Sequence, residues 1–193
     1  MDPQALLGSL AFLREAERLK NVLRSARTSN GRQESTAEHS WRLCLLAMVF
    51  ERELPGLDFA KLLKICVLHD LGETIHGDIP AIHQTNTPDK AAREREDLLT
   101  LLGPLPQPMH DEFLALWDEY DQIASPEVRL VKGLDKLETL LQHNQGANAP
   151  DFDYGFNLQY GQRHTATHPL LQAIRDIVDA DTLRHHQAGQ RAA

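Results

Sequence analysis

The chain has 193 residues, of which 41% are hydrophobic and 25% are charged, and its formal net charge is −8. These values are typical of one soluble globular domain with an ordinary core. The negative charge disfavours nucleic-acid binding, which depends on neutralising phosphates with basic residues. The apolar runs are too short to span a bilayer, and the N-terminal stretch lacks the basic start of a signal peptide. We therefore expect a cytoplasmic protein that acts on a small molecule.

Helical patterns run through almost the whole chain, and no segment alternates apolar and polar residues long enough to predict a strand. The first helix is expected over residues 4–20, with an apolar stripe of Leu6, Leu10 and Leu13, and the polar stretch "SARTSNGRQ" is expected to be a loop. Ser35 and Glu38 have the spacing of a capping box and predict the start of the second helix. Asp58 can cap the third helix in the same way.

The second half of the chain shows the same helical signals. Thr87-Pro88 and Ser125-Pro126 each place a proline at the first position of a predicted helix, with a further helix expected between them over residues 109–122 and a last one after His168. Residues 144–168 are rich in Gly, Asn and aromatic residues, which favours a partly ordered lid or pocket wall over a disordered loop. The sequence predicts an all-α fold of about six to seven helices.

Four side chains are candidate metal ligands: His39, His69, Asp70 and Asp135. Imidazole nitrogens and carboxylates bind intermediate divalent metals, and helical bundles build such sites from facing helices. Each residue also has a plain structural alternative. His39 could be a solvated first-turn histidine, His69 a hydrogen-bonded core residue and Asp135 a surface carboxylate. Asp70 is harder to explain in that way, because a carboxylate near a helix C-terminus opposes the helix dipole. His69 and Asp70 can share one ion only if the helix ends there, as Gly72 suggests.

These residues resemble the H…HD…D pattern of the HD-domain metal-dependent phosphohydrolases. The pattern comprises His39 in "TAEHSWR", His69-Asp70 in "LHDLGE" and Asp135 in "LDKLE". The segment "HDLGETIHGDIP" is similar to one that marks the 5'-deoxynucleotidase-like branch of that superfamily. The resemblance implies a single HD-type domain over residues 1–183, with residues 184–193 as a flexible tail.

The resemblance further implies one divalent ion held by His39, His69, Asp70 and Asp135, with cobalt or manganese expected first and zinc, iron or magnesium as alternatives. It implies catalytic roles for Glu73 and Asp78, which would position the attacking water or protonate the leaving oxygen. Arg24 matches a substrate-binding arginine suited to a phosphate. The family has an aromatic residue just beyond this arginine, where this chain reads "RSART", so the choice between ribose and deoxyribose stays open.

The function implied is removal of phosphate from nucleoside, or deoxynucleoside, 5'-monophosphates by a metal-activated water. Two alternatives stay open: another HD-type hydrolase acting on a dNTP or a cyclic nucleotide, and a non-catalytic helical binding protein. The substrate would be a small-molecule nucleotide, without a nucleic-acid or membrane partner, and relatives suggest a homodimer. Cys44 and Cys66 lie on apolar stretches and are expected to be reduced, buried thiols, because no CxxC spacing indicates a metal or disulfide role.

Overall fold

The computed structural model describes residues 2–80, 82 and 88–192. Within this part of the chain seven helices are ten residues or longer, which confirms the all-α prediction and its helix number. They are α1 (Pro3–Ala16), α2 (Thr36–Val49), α3 (Phe59–Leu68), α4 (Pro88–Leu102), α5 (Gln107–Gln122), α6 (Pro126–Gln145) and α9 (Pro169–Ala192). Two shorter helices, α7 (Tyr154–Gln159) and α8 (Gln162–Thr165), lie between α6 and α9.

Helix α6 is the central element of the core. Its residues Val131, Leu134 and Leu137 are completely buried, and the helix contacts α2, α3, α8 and α9. Because other elements cover most of its surface, several of its polar side chains are buried as well, among them Asp135 and Glu138. These buried polar groups are the setting of the candidate site.

The predicted capping signals start the helices as expected. Ser35 Oγ accepts a hydrogen bond from the Glu38 N–H at 3.3 Å, and the Glu38 carboxylate accepts one from the Ser35 N–H at 2.8 Å, which completes the capping box of α2. The side chains of Asp58 and Ser125 cap α3 and α6 in the same manner. Helix α4 begins at Pro88, and Thr87 lies outside the described residues.

The polar stretch after α1 contains a β-hairpin, so the prediction of a loop there is wrong. Strand β1 (Leu23–Arg27) pairs antiparallel with β2 (Gln33–Ser35). The turn includes Asn30 and Gly31, and Gly31 has a φ of 87°. The Asn-Gly pair is a hairpin signal in itself, because glycine adopts this left-handed conformation without steric cost. The hairpin leads directly into α2.

Helices lie at both ends of the described chain, α1 at the start and α9 at the end. The stripe of Leu6, Leu10 and Leu13 on α1 is exposed by 42–61%, and Phe12 is the residue of this helix that is buried. At the other end, α9 continues to Ala192, so residues 184–192 are helical, and their flexibility stays a prediction. None of the described helices combines the length and the apolar character that a membrane crossing requires.

We predict that Gly133→Ala destabilises the fold despite the higher helix propensity of alanine. A Cβ at Gly133 would meet Leu171 Cδ1, and the His164 carbonyl oxygen at 3.1 Å, because α6 approaches α8 and α9 closely here. Overpacking of this kind costs about 1–3 kcal/mol. Gly189→Ala is the matched control, since a Cβ there meets no atom within 4 Å and should raise stability by about 1 kcal/mol. Urea denaturation measures both, and equal gains for the two variants would contradict the prediction.

Candidate metal centre and its cavity

His39 is the buried histidine of the first turn of α2. Its side chain is fully buried, so the alternative of a solvated first-turn histidine is wrong. The capping box fixes the start of α2 and thereby the direction in which this ring points. The His39 Nε2 atom lies 3.2 Å from Asp135 Oδ1 and 3.8 Å from Asp70 Oδ2.

His69 and Asp70 stand where α3 ends. Helix α3 stops at Leu68, and a 3-10 turn (Leu71–Glu73) follows. The change of direction brings His69 Nε2 within 3.0 Å of Asp70 Oδ2, although adjacent residues of a continuous helix would point apart. His69 Nδ1 is 2.9 Å from the carbonyl oxygen of Cys66 and donates to it. In the neutral form of the ring, this bond leaves the lone pair on Nε2, the atom that faces Asp70.

Gly72 has a different role from the one expected. It lacks the positive φ of a glycine that terminates a helix. A Cβ at this position would instead meet the carbonyl oxygen of Glu94 at 2.6 Å. Gly72 therefore allows α4 to pack closely against the turn that carries Asp70 and Glu73.

Asp135 lies in the middle of α6 and faces His39. It is 5% exposed, so the alternative of a surface carboxylate is wrong. Its Oδ2 atom accepts hydrogen bonds from Lys136 Nζ at 2.9 Å and from the Tyr120 hydroxyl at 3.3 Å. Burial opposes ionisation, but Lys136 and His39 outweigh it and hold the pKa of Asp135 well below its ordinary value. Asp135 is therefore ionised at neutral pH.

Three of the four side chains, His39, His69 and Asp70, lie close enough together to share a cation, and the fourth, Asp135, lies against His39. The Nε2 atoms of His39 and His69 are buried and have no hydrogen-bond partner among the described residues, which is costly for a polar atom. One ligand atom each from His39, His69 and Asp70 lies within 4.8 Å of the others. Although burial and Arg24 oppose it, Glu138 and Asp135 raise the pKa of His39 to about 10. The cluster thus requires a positive charge, and two imidazoles with two carboxylates suit a transition metal.

Glu138 is a buried residue of the site that the sequence analysis missed. Its carboxylate contacts His39 Nδ1 and also accepts a hydrogen bond from Arg42 Nε at 2.6 Å. A carboxylate on the far nitrogen of a metal-binding imidazole fixes the ring orientation and directs the other nitrogen to the metal. The signal was present in "LDKLE", because Glu138 follows Asp135 by three positions and therefore shares its helix face.

An open cavity of about 710 Å³ lies beside the cluster. Its size is ordinary for a small-molecule site. The segment that was expected to form a lid or pocket wall supplies part of the lining through α7 and α8. Lining residues include Arg24, Ser25, His69, Asp70, Glu73, Asp78, Lys90, Tyr120, Lys132, Asp135, Lys136, His143, Phe156, Tyr160, Arg163 and His164.

Glu73 and Asp78 are two acidic residues of this wall. Glu73 is 6% exposed, and burial together with the charges of Asp70 and Asp78 raises the pKa of Glu73 to about 10. Burial also raises the pKa of Asp78, with Arg24 acting in the opposite direction. Both carboxyls therefore bind a proton more readily than a solvated acid does.

Arg24 lies on β1 and reaches the same cavity. Its Nη2 atom donates to Thr139 Oγ1 at 2.9 Å, its Nε atom is 3.5 Å from Glu34 Oε2, and its Nη1 atom is 3.7 Å from Asp70 Oδ2. Burial opposes the charge, but Asp70 and other carboxylates keep the pKa of Arg24 above its ordinary value. Arg24 is therefore a largely buried cation of the cavity wall and not a solvated surface charge.

The remaining histidines have no place in a four-ligand cluster. His143 and His164 nevertheless line the cavity, and burial lowers the pKa of each to about 4. Both rings are therefore neutral at physiological pH. His83 lies outside the described residues.

We predict that Glu138→Gln weakens metal binding about 10- to 100-fold, because loss of a carboxylate behind a ligand histidine has effects of this size. Competition with a chromophoric chelator measures the affinity. Glu127→Gln is the matched control: Glu127 is also a buried acid of α6, but it pairs with Lys61 and the Asp58 N–H. Equal affinities of the Glu138 variant and the wild type would contradict the orienting role.

Comparisons with known proteins agree with this geometry. The family model described as "HD domain" matches residues 16–175. The chain is 32% identical over 138 residues to 5'-deoxynucleotidase HDDC2 of Homo sapiens, covering 70% of this chain and 67% of that protein. It is 27% identical over 187 residues to 5'-deoxynucleotidase HDDC2 of Dictyostelium discoideum, covering 89% and 97%.

A solved structure extends the likeness to the fold. A predicted metal-dependent phosphohydrolase of Magnetospirillum magnetotacticum MS-1 has a TM-score of 0.82 and 26% identity, with 94% of both chains covered. The family model covers most of the chain, and the helical framework agrees with the resemblance carried by His39, His69-Asp70 and Asp135. This chain belongs to the HD-domain family and falls in its 5'-deoxynucleotidase-like branch.

Proposed function

We propose that this protein is a metal-dependent phosphohydrolase that removes the phosphate from nucleoside 5'-monophosphates. The observation that carries this proposal is the pair of buried, unpartnered imidazole nitrogens that face two carboxylates beside a cavity of nucleotide size. The relatives named 5'-deoxynucleotidases support a nucleotide monophosphate as the substrate class.

His39, His69, Asp70 and Asp135 would be the ligands of one divalent ion. When bound, such an ion lowers the pKa of a coordinated water and polarises a phosphoryl oxygen. Cobalt and manganese are our first candidates, with zinc, iron and magnesium as alternatives, because two nitrogen and two oxygen donors favour a transition metal over calcium. Glu138 would hold the His39 ring in the tautomer that presents its Nε2 lone pair.

Glu73 and Asp78 would move protons during hydrolysis. Burial and neighbouring carboxylates keep a proton on Glu73, which suits it to protonate the departing 5'-oxygen. Asp78 stands across from Arg24 and is suited to accept a proton from the attacking water. Arg24 would hold a phosphoryl oxygen with its fixed guanidinium, since Thr139 already orients that group at 2.9 Å.

A matrix of metals against substrates tests the proposed reaction. The purified protein is loaded with cobalt, manganese, zinc, iron or magnesium and assayed with ribo- and deoxyribonucleoside mono- and triphosphates and cyclic nucleotides. We expect orthophosphate release from 5'-monophosphates. Release of triphosphate, or hydrolysis of cyclic nucleotides alone, would replace the proposal with another HD-type reaction. Complete inactivity with every metal would favour a non-catalytic binding protein.

Two variants separate metal binding from proton transfer. We expect Asp135→Ala to lose both the bound metal and activity, because it removes a ligand and leaves Lys136 unpaired. Glu73→Ala should keep the metal and lower kcat about 100-fold or more, the usual size of a lost general acid. Metal analysis beside steady-state kinetics distinguishes them. A Glu73 variant that turns over at the wild-type rate would remove that residue from the mechanism.

We further propose a homodimer in the cytoplasm, in which residues 1–183 form the catalytic domain. Large apolar side chains are exposed on two helices: Leu13 is 61% exposed on α1, and Trp41 and Val49 are 63% and 74% exposed on α2. Exposed apolar side chains that cluster on a surface commonly mark a protein interface. Cys44 and Cys66 are free thiols, which suits a reducing compartment. Cys66 is buried as expected, whereas Cys44 is only partly buried. Light scattering that gives a monomer mass at micromolar concentration would contradict the dimer.

A further inference from the structure

Five cationic side chains line the cavity, and they differ in how their charge is balanced. Arg24 is paired with Glu34 and Asp70, Lys90 with Glu94, and Lys136 with Asp135. Lys132 and Arg163 form no ion pair with a carboxylate of the described residues. Arg163 is exposed to water, whereas Lys132 is half-buried on α6. Lys132 is therefore a partly buried cation of this cavity that has no carboxylate of the described residues within ion-pair distance.

The position of Lys132 is fixed by Tyr120. Its Nζ atom lies 3.5 Å from the centroid of the Tyr120 ring, a cation–π contact. The same ring lies 5.2 Å, centroid to centroid, from the ring of His69, and its hydroxyl is 3.3 Å from Asp135 Oδ2. The ammonium group is thus held one aromatic ring away from two of the proposed metal ligands, on a wall of the same cavity.

Partial removal of the Lys132 ammonium group from water costs free energy, because no ion pair replaces the lost hydration. Burial and the charge of Lys136 lower the pKa of Lys132 to about 8, which reflects that cost. An aromatic ring compensates for only part of a desolvated charge. An anion in the cavity would offset the rest. Asp121, Asp135 and Asp70 act on this charge from a distance, but no carboxylate of the described residues forms an ion pair with it.

The charges around the cavity indicate which kind of anion Lys132 would bind. Asp70 and Asp135 would be shared, because Asp70 also lies beside Arg24 and Asp135 also pairs with Lys136, while a divalent ion would add two further positive charges. A phosphate monoester dianion that enters this site is therefore attracted to it, and Lys132 adds a positive charge that no carboxylate of the described residues pairs with. Lysine binds phosphate as a compact point charge and does not need the planar geometry of arginine.

We infer that Lys132 is a substrate-binding residue that contacts the phosphate group of the nucleotide from α6, in addition to Arg24 on the hairpin. This inference rests on the proposed function, because the phosphate is taken to be that of the substrate. It assigns the recognition of the phosphate to α6 as well as to the hairpin, so that one helix carries both a metal ligand and a phosphate contact three positions apart.

Binding of inorganic phosphate to the metal-loaded protein tests the inference without turnover. Lys132→Met keeps an unbranched apolar chain over Tyr120 and removes the charge. We expect its affinity for phosphate, by calorimetry, to fall about 10- to 100-fold, the value of a charge-assisted hydrogen bond. The KM for a monophosphate should rise by a similar factor, and Lys132→Arg should retain most of the binding. Arg129→Met, which removes an exposed charge from the same helix, is the matched control.

The outcomes separate this inference from the proposed function. Wild-type phosphate affinity in Lys132→Met, loss of its metal, or no phosphate binding by the wild-type protein would each overturn the role of Lys132. If Lys132→Met does not fold, as judged by circular dichroism, Lys132→Gln takes its place under the same criteria. A wild-type protein that binds phosphate through Lys132 but hydrolyses no monophosphate would overturn the proposed function and leave the phosphate site in place.

Discussion

The structure depends on keeping two carboxylates and two imidazoles together in a buried place. Asp70 and Asp135 repel each other there, and the unpartnered nitrogens of His39 and His69 gain nothing from the surrounding apolar core. The neighbouring charges relieve this conflict only partly. Lys136 balances Asp135, and Arg42 balances the Glu138 carboxylate behind His39. A cation at the centre would neutralise both carboxylates and give both ring nitrogens a partner.

Much of the fold and the main cluster could be predicted from the sequence. The capping box of Ser35 and Glu38 defined the start of α2 and thus placed His39 in the first turn of that helix. Ser125 and Pro126 did the same for α6 and Asp135. These signals are local, because each depends on hydrogen bonds within four residues of a helix end. On α5 the helical period likewise places Leu116 and Trp117 on the buried face, with Phe113 partly buried beside them.

The features that were missed depend on contacts between distant segments. The hairpin is short and polar, and it is held on α6 by Gln142 Nε2, which donates to the Arg27 carbonyl at 2.6 Å. Its pairing was hidden because period-two alternation needs a buried face of some length. Gly72 is needed because α4, more than twenty positions away in the sequence, packs against it. The residues next to Gly72 in the sequence do not reveal this contact. Glu138 had a spacing signal, but its carboxylate becomes informative only once His39 is known to lie opposite.

The separation of the cluster along the chain has a consequence for the protein in the cell. Two of the proposed ligands, His39 and Asp135, are 96 positions apart, so an unfolded chain cannot present the assembled ligands. A cation that binds only the native state shifts the folding equilibrium in its favour, by about 2.7 kcal/mol when its free concentration is a hundred times its Kd. Differences of this size change how much of a protein escapes proteolysis. Scarcity of the ion would then reduce the amount of protein in addition to its turnover rate.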